Sequence, residues 1–524
     1  MDAGNGFAAD LMHTSGFAQT VTKMSCLRTH RRWAVSAMPR NLCWMAVGFA
    51  ALLTVGCGQG PKAEFSLRDS TEELIPPAQT AVKKSLDEAF GTPHELVAWQ
   101  RLPVNYGGDR GTVGEVLADG KGISTTWDGD AAGVTAGAPL LWISGPRAAE
   151  KTSVDSVGSF DPKTKHLTWS GSMDPAPAVG DKFVVGFGQT LKTGRMVYMK
   201  NCMHCHGVAG DGAGPTARHL NPLPRDYRSG LFKFTSTLTP EKPTRDDLTR
   251  VVKYGIPGTY MPSFMWLGGK ETESVVEYVR WLAMRGEFEK RLDDDLGNDY
   301  SQKNIEESAA KSLADFEAAM AAFRAKKGEK PEKPKSVGDL KKSARDDFAK
   351  YATDELPGVI EATGTFLADG WTHGEEAESL ILPSVARVPD DAASRERGRR
   401  LYLSDKGKCY TCHGIQGRGD GVATEDYWKK PGSDELYPRR GLHDAWGHPL
   451  PPRNLTLGQY RGGRRPLDVF RRIYAGIKGT PMPGFGRTAL KDDEIWDVVN
   501  YVMSLQYQTT PAKAKPADHV ADSK

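Results

Sequence analysis

The chain predicts a mostly α-helical protein: two repeated helical units, a mixed α/β or irregular region ahead of the first, and a charged, partly helical connector between them. Three observations carry this. The pattern KNCMHCHGVAGDGAG from Lys200 returns as GKCYTCHGIQGRGDG from Gly407. Around both copies, apolar residues recur at three- and four-residue spacing, the signature of helices with one buried face. Between the copies, residues 289–393 are rich in alanine and in charged side chains that tolerate helix well. At 524 residues the chain is too long for one ordinary core and is expected to fold as several units.

The elements follow in chain order. Residues 1–57 read as a leader: in MPRNLCWMAVGFAALLTVGCGQG a short basic start precedes an apolar run from Leu42 to Gly56, with Met38 as a plausible translation start. That run is shorter than the roughly 20 residues that span a bilayer and suits the apolar segment of an export signal. Cys57, followed by Gly58, resembles the lipidated cysteine of bacterial lipoproteins, although Thr54 stands where an aliphatic residue is usual. Simple secretion and a retained anchor are the competing outcomes. All three put the bulk of the chain on the periplasmic side of a bacterial membrane.

Residues 58–189 form a mixed accessory or docking region. AQTAVKKSLDEAFG predicts a helix ending at Gly91, while GTVGEVLADGKGISTTWDGD and KHLTWSGS predict short strands or irregular hairpins. The first helical unit occupies 190–288. Met196, Val197 and Tyr198 lead into its motif, Leu248, Val251 and Val252 form an apolar stripe, and Val276, Val279 and Leu282 mark a terminal helix. The connector, 289–393, is either a spacer or a decorated surface. The second unit, 394–508, repeats the same order with Leu401 and Tyr402, then Leu467, Phe470 and Ile473, then Ile495, Val498, Val499 and Val502. Residues 509–524 contain too little apolar material for a core and predict a flexible tail.

Charge and cysteine usage narrow the function. With 69 basic and 66 acidic residues the net charge is +3, so no excess of positive charge advertises nucleic acid as a partner. Of seven cysteines, Cys26, Cys43 and Cys57 lie in the leader region and the other four all belong to C-x-x-C-H. Chance assembly from this composition would produce about 0.002 such motifs, and two are present.

Two thiols spaced by two residues, with an imidazole directly behind the second, are the donor set of covalent haem attachment. The thiols add to porphyrin vinyl groups and the imidazole ligates iron from one face. A bare thiol redox pair does not need the histidine, and a zinc site needs further ligands near each pair. Cys202, Cys205 and His206 therefore form one site, and Cys409, Cys412 and His413 the other.

Downstream, YGIPGTYMPSF and AGIKGTPMPGF repeat a Gly-Thr-x-Met-Pro loop. A thioether is a soft donor suited to haem iron, so Met261 and Met482 are the expected sixth ligands; packing alone is the competing reading. Met265, His204 and His219 are weaker competitors for iron. Each unit also carries a Pro-Arg pair, in which Arg225 and Arg453 are expected to bind haem propionates through their planar donors, against the simpler reading of solvated turn charges.

With these residues in place, both repeats resemble class I cytochrome c domains, through Cys202-Met203-His204-Cys205-His206 with Met261 and Cys409-Tyr410-Thr411-Cys412-His413 with Met482. The resemblance covers about 190–288 and 394–508. It implies an all-helical fold around one low-spin haem in each, hence two covalently bound haem c groups and an electron conduit. The expected partners are a redox donor and acceptor, with a quinol-oxidising complex or a terminal oxidase as the candidates, and membrane association through the N-terminal lipid or anchor. An electron-transfer protein or oxidoreductase-complex subunit is favoured over an independent enzyme. A dihaem peroxidase, or a structural or docking subunit of a respiratory complex, are the alternatives.

Overall fold

A computed structural model describes residues 63–149, 155–169, 171, 173–431 and 433–508, all within one compact unit. The expected export signal, Cys57 and the tail lie outside the described residues. The fold is mostly helical with one sheet. No helix among the described residues is long and apolar enough to cross a membrane.

Helix α1 (Pro76–Phe90) opens with Pro76, whose missing N–H is harmless at a helix start, and ends at Gly91 with φ +72°. Seven strands follow: β1 (Asp109–Val116), β2 (Gly122–Trp127), β3 (Pro139–Trp142), β4 (Asp155–Ser156), β5 (Ser159–Asp161), β6 (His166–Thr168) and β7 (Lys182–Val185). They form an antiparallel sheet in the order β4-β3-β7-β1-β2-β6-β5. Val113, Ile123, Leu140, Trp142, Leu167 and Phe183 bury a separate small core there.

The first helical unit contains α2 (Gln189–Asn201), α3 (Arg245–Tyr254) and α4 (Gly269–Tyr300). Helix α4 passes through the boundary expected at 288 without a break. Its central turns are buried all round, and the charged residues there have partners. Glu277 accepts from Arg245 and from the amide of Asn105, Glu287 accepts from the Trp371 indole at 2.7 Å, and Asp293 accepts from Ser70 and Thr71. Buried charges persist only where such partners satisfy them.

The connector supplies α5 (Gln302–Arg324), α6 (Val337–Asp354) and α7 (Leu356–His373). Phe348 of α6 and Leu367 and Trp371 of α7 join α1, α2 and α4 in one continuous core. Much of the connector is therefore structural support for the first unit rather than a tether. The second unit draws less on the connector, which adds Ile381 to its core. Helices α8 (Ala392–Leu403), α9 (Pro466–Ala475) and α10 (Asp492–Ser504) close their own core around Phe470, Ile473, Trp496 and Val499.

The same helix crossing builds both units. A side-chain carbon added to Gly194 of α2 would stand 2.0 Å from the Ser274 carbonyl of α4, and one added to Gly398 of α8 would stand 2.0 Å from the Asp497 carbonyl of α10. Only glycine permits backbones that close.

Candidate haem sites

Each attachment motif sits at the end of the helix that makes this crossing. Helix α2 runs into a one-turn helix, Met203–His206, and α8 is followed by its counterpart Tyr410–His413. A buried tyrosine in the last turn of the preceding helix pins each loop: Tyr198 donates to the Gly207 carbonyl and Tyr402 to the Gly414 carbonyl, both at 2.8 Å.

Burial pushes Cys202 and Cys409 up to about 12, so neither rests as a thiolate. Burial lowers His206 and His413 from the ordinary imidazole value, favouring the neutral ring that binds metal.

The proximal rings are oriented by backbone. His206 Nδ1 lies 3.3 Å from the carbonyl of Arg225, and His413 Nδ1 lies 3.0 Å from that of Arg453. A carbonyl only accepts, so Nδ1 carries the proton and Nε2 keeps its lone pair for iron. The Pro-Arg pairs thus have a main-chain function that the side chains did not advertise.

The methionine loops match bond for bond. Thr259 accepts from the Met261 amide at 3.1 Å and Thr480 from the Met482 amide at 3.2 Å. Each threonine hydroxyl donates back to the isoleucine three residues earlier, at 2.8 and 2.7 Å. Ile256 and Ile477 donate to the methionine carbonyls at 3.1 and 3.2 Å. Met261 packs with Cys202 against the first core, while Met482 and Cys409 pack against the second.

In the second unit a cavity of about 460 Å³ is lined by Cys409, Cys412, His413 and Met482, with Leu455, Ile473 and Val498 among its apolar walls. This donor set and lining fit a covalently attached porphyrin. Cys409 and Cys412 would carry the thioether bonds, with His413 and Met482 as the axial pair; Cys202, Cys205, His206 and Met261 repeat the set in the first unit. Six cations, Lys233, Lys406, Lys408, Arg453, Arg461 and Arg472, line the second cavity, and no carboxylate does so among the described residues. Partial burial lowers Arg472 to about 10, and it donates to the Gly463 carbonyl at 2.8 Å. Sequence reasoning passed over Arg472, whose only trace is a charge on the apolar stripe of α9.

The two arginines expected at propionates differ in placement. Arg453 is on the cavity wall, its guanidinium donating to Gln459 Oε1 at 2.7 Å. Arg225 stacks 3.6 Å over the Trp446 ring and pairs with Asp444 at 3.7 Å, both in the second unit. Met265 is two-thirds exposed in the loop after Met261. His204 is exposed, and His219 accepts from Arg218 Nε at 3.1 Å.

Two family models match the chain, one over each repeat. The family model for cytochrome c oxidase, cbb3-type, subunit III matches residues 189–279, and that for cytochrome c matches 395–506. No curated protein matches the chain. A chain of the Kuenenia stuttgartiensis reducing HAO-like protein complex is similar at 25% identity over 60% of this chain and 96% of that one, with a TM-score of 0.37. Each attachment motif and its methionine loop thus fall within a single matched span, and residues 189–279 and 395–506 are two cytochrome c-type domains, the organisation of a dihaem cytochrome c.

Proposed function

We propose that the chain is an exported dihaem c-type cytochrome that passes single electrons between redox partners on the periplasmic side of a bacterial membrane, as a subunit of an envelope electron-transfer complex held by a lipid at Cys57. One observation carries the electron-wire reading: the first domain helps to build the second domain's cavity, contributing Lys233 and Phe234 to its wall. A second site built partly from the first domain is the arrangement that electron exchange within the molecule needs.

Bound haem iron supplies the one-electron couple. The protein's part is to hold each iron between imidazole and thioether, to exclude water with apolar walls, and to fix the distance between sites through the domain interface. Arg250 of α3 bridges to Asp468 of α9 at 3.0 Å, and Lys478 donates to Thr237 Oγ1 at 2.9 Å across that interface. The match of the first domain to the subunit III family favours a terminal oxidase as the electron acceptor's complex.

The test is purification from the envelope, intact mass and optical redox titration. Two covalent porphyrins, a lipid on Cys57 and two low-spin, methionine-ligated spectra are expected. A mature chain without attached porphyrin defeats the reading. Steady-state turnover of peroxide by the half-reduced protein would replace it with a peroxidase.

A further inference from the structure

The two domains reach into each other's ligand loops in a reciprocal way. Arg225 holds His206 through its carbonyl, while its guanidinium lies flat on Trp446. Trp446 in turn lies against Gly479, the glycine of the second domain's Gly-Thr-x-Met-Pro loop. A side-chain carbon added at Gly479 would stand 2.5 Å from the indole.

Arg453 mirrors this. Its carbonyl holds His413, and its guanidinium lies against Gly258, the equivalent glycine in the first domain's methionine loop, where an added carbon would stand 2.5 Å from Arg453 Nη2. Arg461 ties the same glycine's carbonyl at 3.3 Å. Both glycines also hold left-handed backbone, φ +73° at Gly258 and +68° at Gly479, so neither readily yields to a side chain. The two arginines occupy corresponding places in the repeat and are directed at corresponding glycines of the opposite domain, Arg453 in direct contact with Gly258 and Arg225 reaching Gly479 only across the Trp446 ring.

We propose that Arg225 and Arg453 are reciprocal cross-domain positioning residues, each tying the proximal histidine of its own domain to the methionine loop of the other, so that the two haem potentials are set jointly. The physical link is short and made of closely packed parts: a hydrogen-bonded carbonyl, one arginine side chain, and a loop glycine reached directly or across one indole ring. Asp444 is shared by Arg225 and Lys233, the latter at 3.2 Å, so this corner keeps a surplus positive charge beside the second domain's ligand loop. A fixed positive charge there disfavours the oxidised iron, the more positive of its two states. A contact with both sites gives coupling a physical route, and that coupling is reciprocal by thermodynamic necessity.

This inference rests on the dihaem reading. Its test uses the full-length haem-loaded protein, with the NMR signals of the two axial-methionine methyl groups reporting each haem separately during a redox titration. Arg225→Gln is expected to move the midpoint of the second-domain haem as well as the first, and Arg453→Gln that of the first as well as the second. Each cross-domain shift should change the reduced-to-oxidised ratio at fixed potential by about fivefold or more, the lower end of ordinary coupling between sites. Arg225→Lys and Arg453→Lys, which restore charge, should return most of the shift. Shifts confined to the arginine's own domain overturn the link. If a glutamine variant loses a methionine signal through misfolding, the unmutated protein decides: interdependent one-electron curves for the two signals are required, and independent curves overturn the link. A protein showing neither methionine signal would instead defeat the dihaem reading itself.

Discussion

The two cytochrome c-type domains share every local device and differ in what surrounds them. Both cross their helices at a glycine, pin the attachment loop with a tyrosine, orient histidine by a carbonyl and staple methionine through threonine. The first, however, completes its core with α1, α6 and α7, whereas the second closes mainly around its own helices, with only Ile381 of the connector buried among them. The second cavity also carries a partly buried arginine where the first repeat has valine: aligned on the glycines that end α3 and α9, Arg472 corresponds to Val251. One ligand set can thus serve two roles, with support and charge, rather than ligation, setting the domains apart.

The largest expected effect tests the shared core. Trp371 is wholly buried although it lies in the connector, far along the chain from the first motif. Trp371→Ala removes a large core side chain and the indole partner of Glu287, and should cost about 3–5 kcal/mol. Denaturant unfolding followed through the Met261 signal should show the loss. The matching change in the second domain, Phe470→Ala, should weaken the Met482 signal first. Equal stability of the Trp371 variant and the parent would return the connector to the status of a spacer.

Much of this comparison was legible in the sequence. Covalent attachment and the methionine loops declare themselves because their chemistry needs fixed residue types at fixed spacing, and Leu248 or Phe470 mark helix faces by period. The boundary at 288 was not legible. Arg280, Arg285, Glu287 and Glu289 look like a solvated face, yet they are buried: Glu375, Trp371 and Thr71 from distant segments bond Arg280, Glu287 and Glu289, and Arg285 pairs with Glu289 along the helix. The carbonyl role of Arg225 and Arg453 left no trace either, since a main-chain acceptor is independent of the side chain that names the residue. The outer strands of the sheet run only two to four residues, too short for alternation to stand out.

A second prediction concerns how the domains are joined. Lys478, in the second domain's methionine loop, is buried against the first domain, donating to Thr237 and to the Glu241 carbonyl. Burial pushes it down to about 8, offset in part by Asp247 and Glu241 and reinforced by Lys242. Its folded value lies below its unfolded one, so between about pH 8 and the ordinary lysine value the unfolded chain holds the proton that the folded chain releases. Stability should therefore rise with pH across that window, by about 3 kcal/mol at most. Lys478→Met should flatten this rise in parallel pH-dependent melts. An unchanged slope would show that the lysine does not titrate at the interface.

The smallest effect is the most informative about direction. Arg472 lines the second cavity and is buried enough to be lowered to about 10, yet it has no carboxylate partner at hydrogen-bond distance; its donors go to backbone carbonyls of Arg461 and Gly463. A positive charge held in that wall is less screened than one at the surface, and it penalises the oxidised iron. The second haem should accordingly have the higher potential, and electrons should run from the first domain to the second. Arg472→Met is expected to lower the second midpoint by on the order of 30–60 mV, where 59 mV is tenfold for one electron. The first midpoint should stay in place, which separates this local charge from the cross-domain action of Arg225 and Arg453. Val251→Arg, the reciprocal change, should raise the first midpoint and narrow the gap. If the two potentials are equal in the unmutated protein, or if Arg472→Met leaves the second unchanged, the charge difference between the cavities does not order the wire.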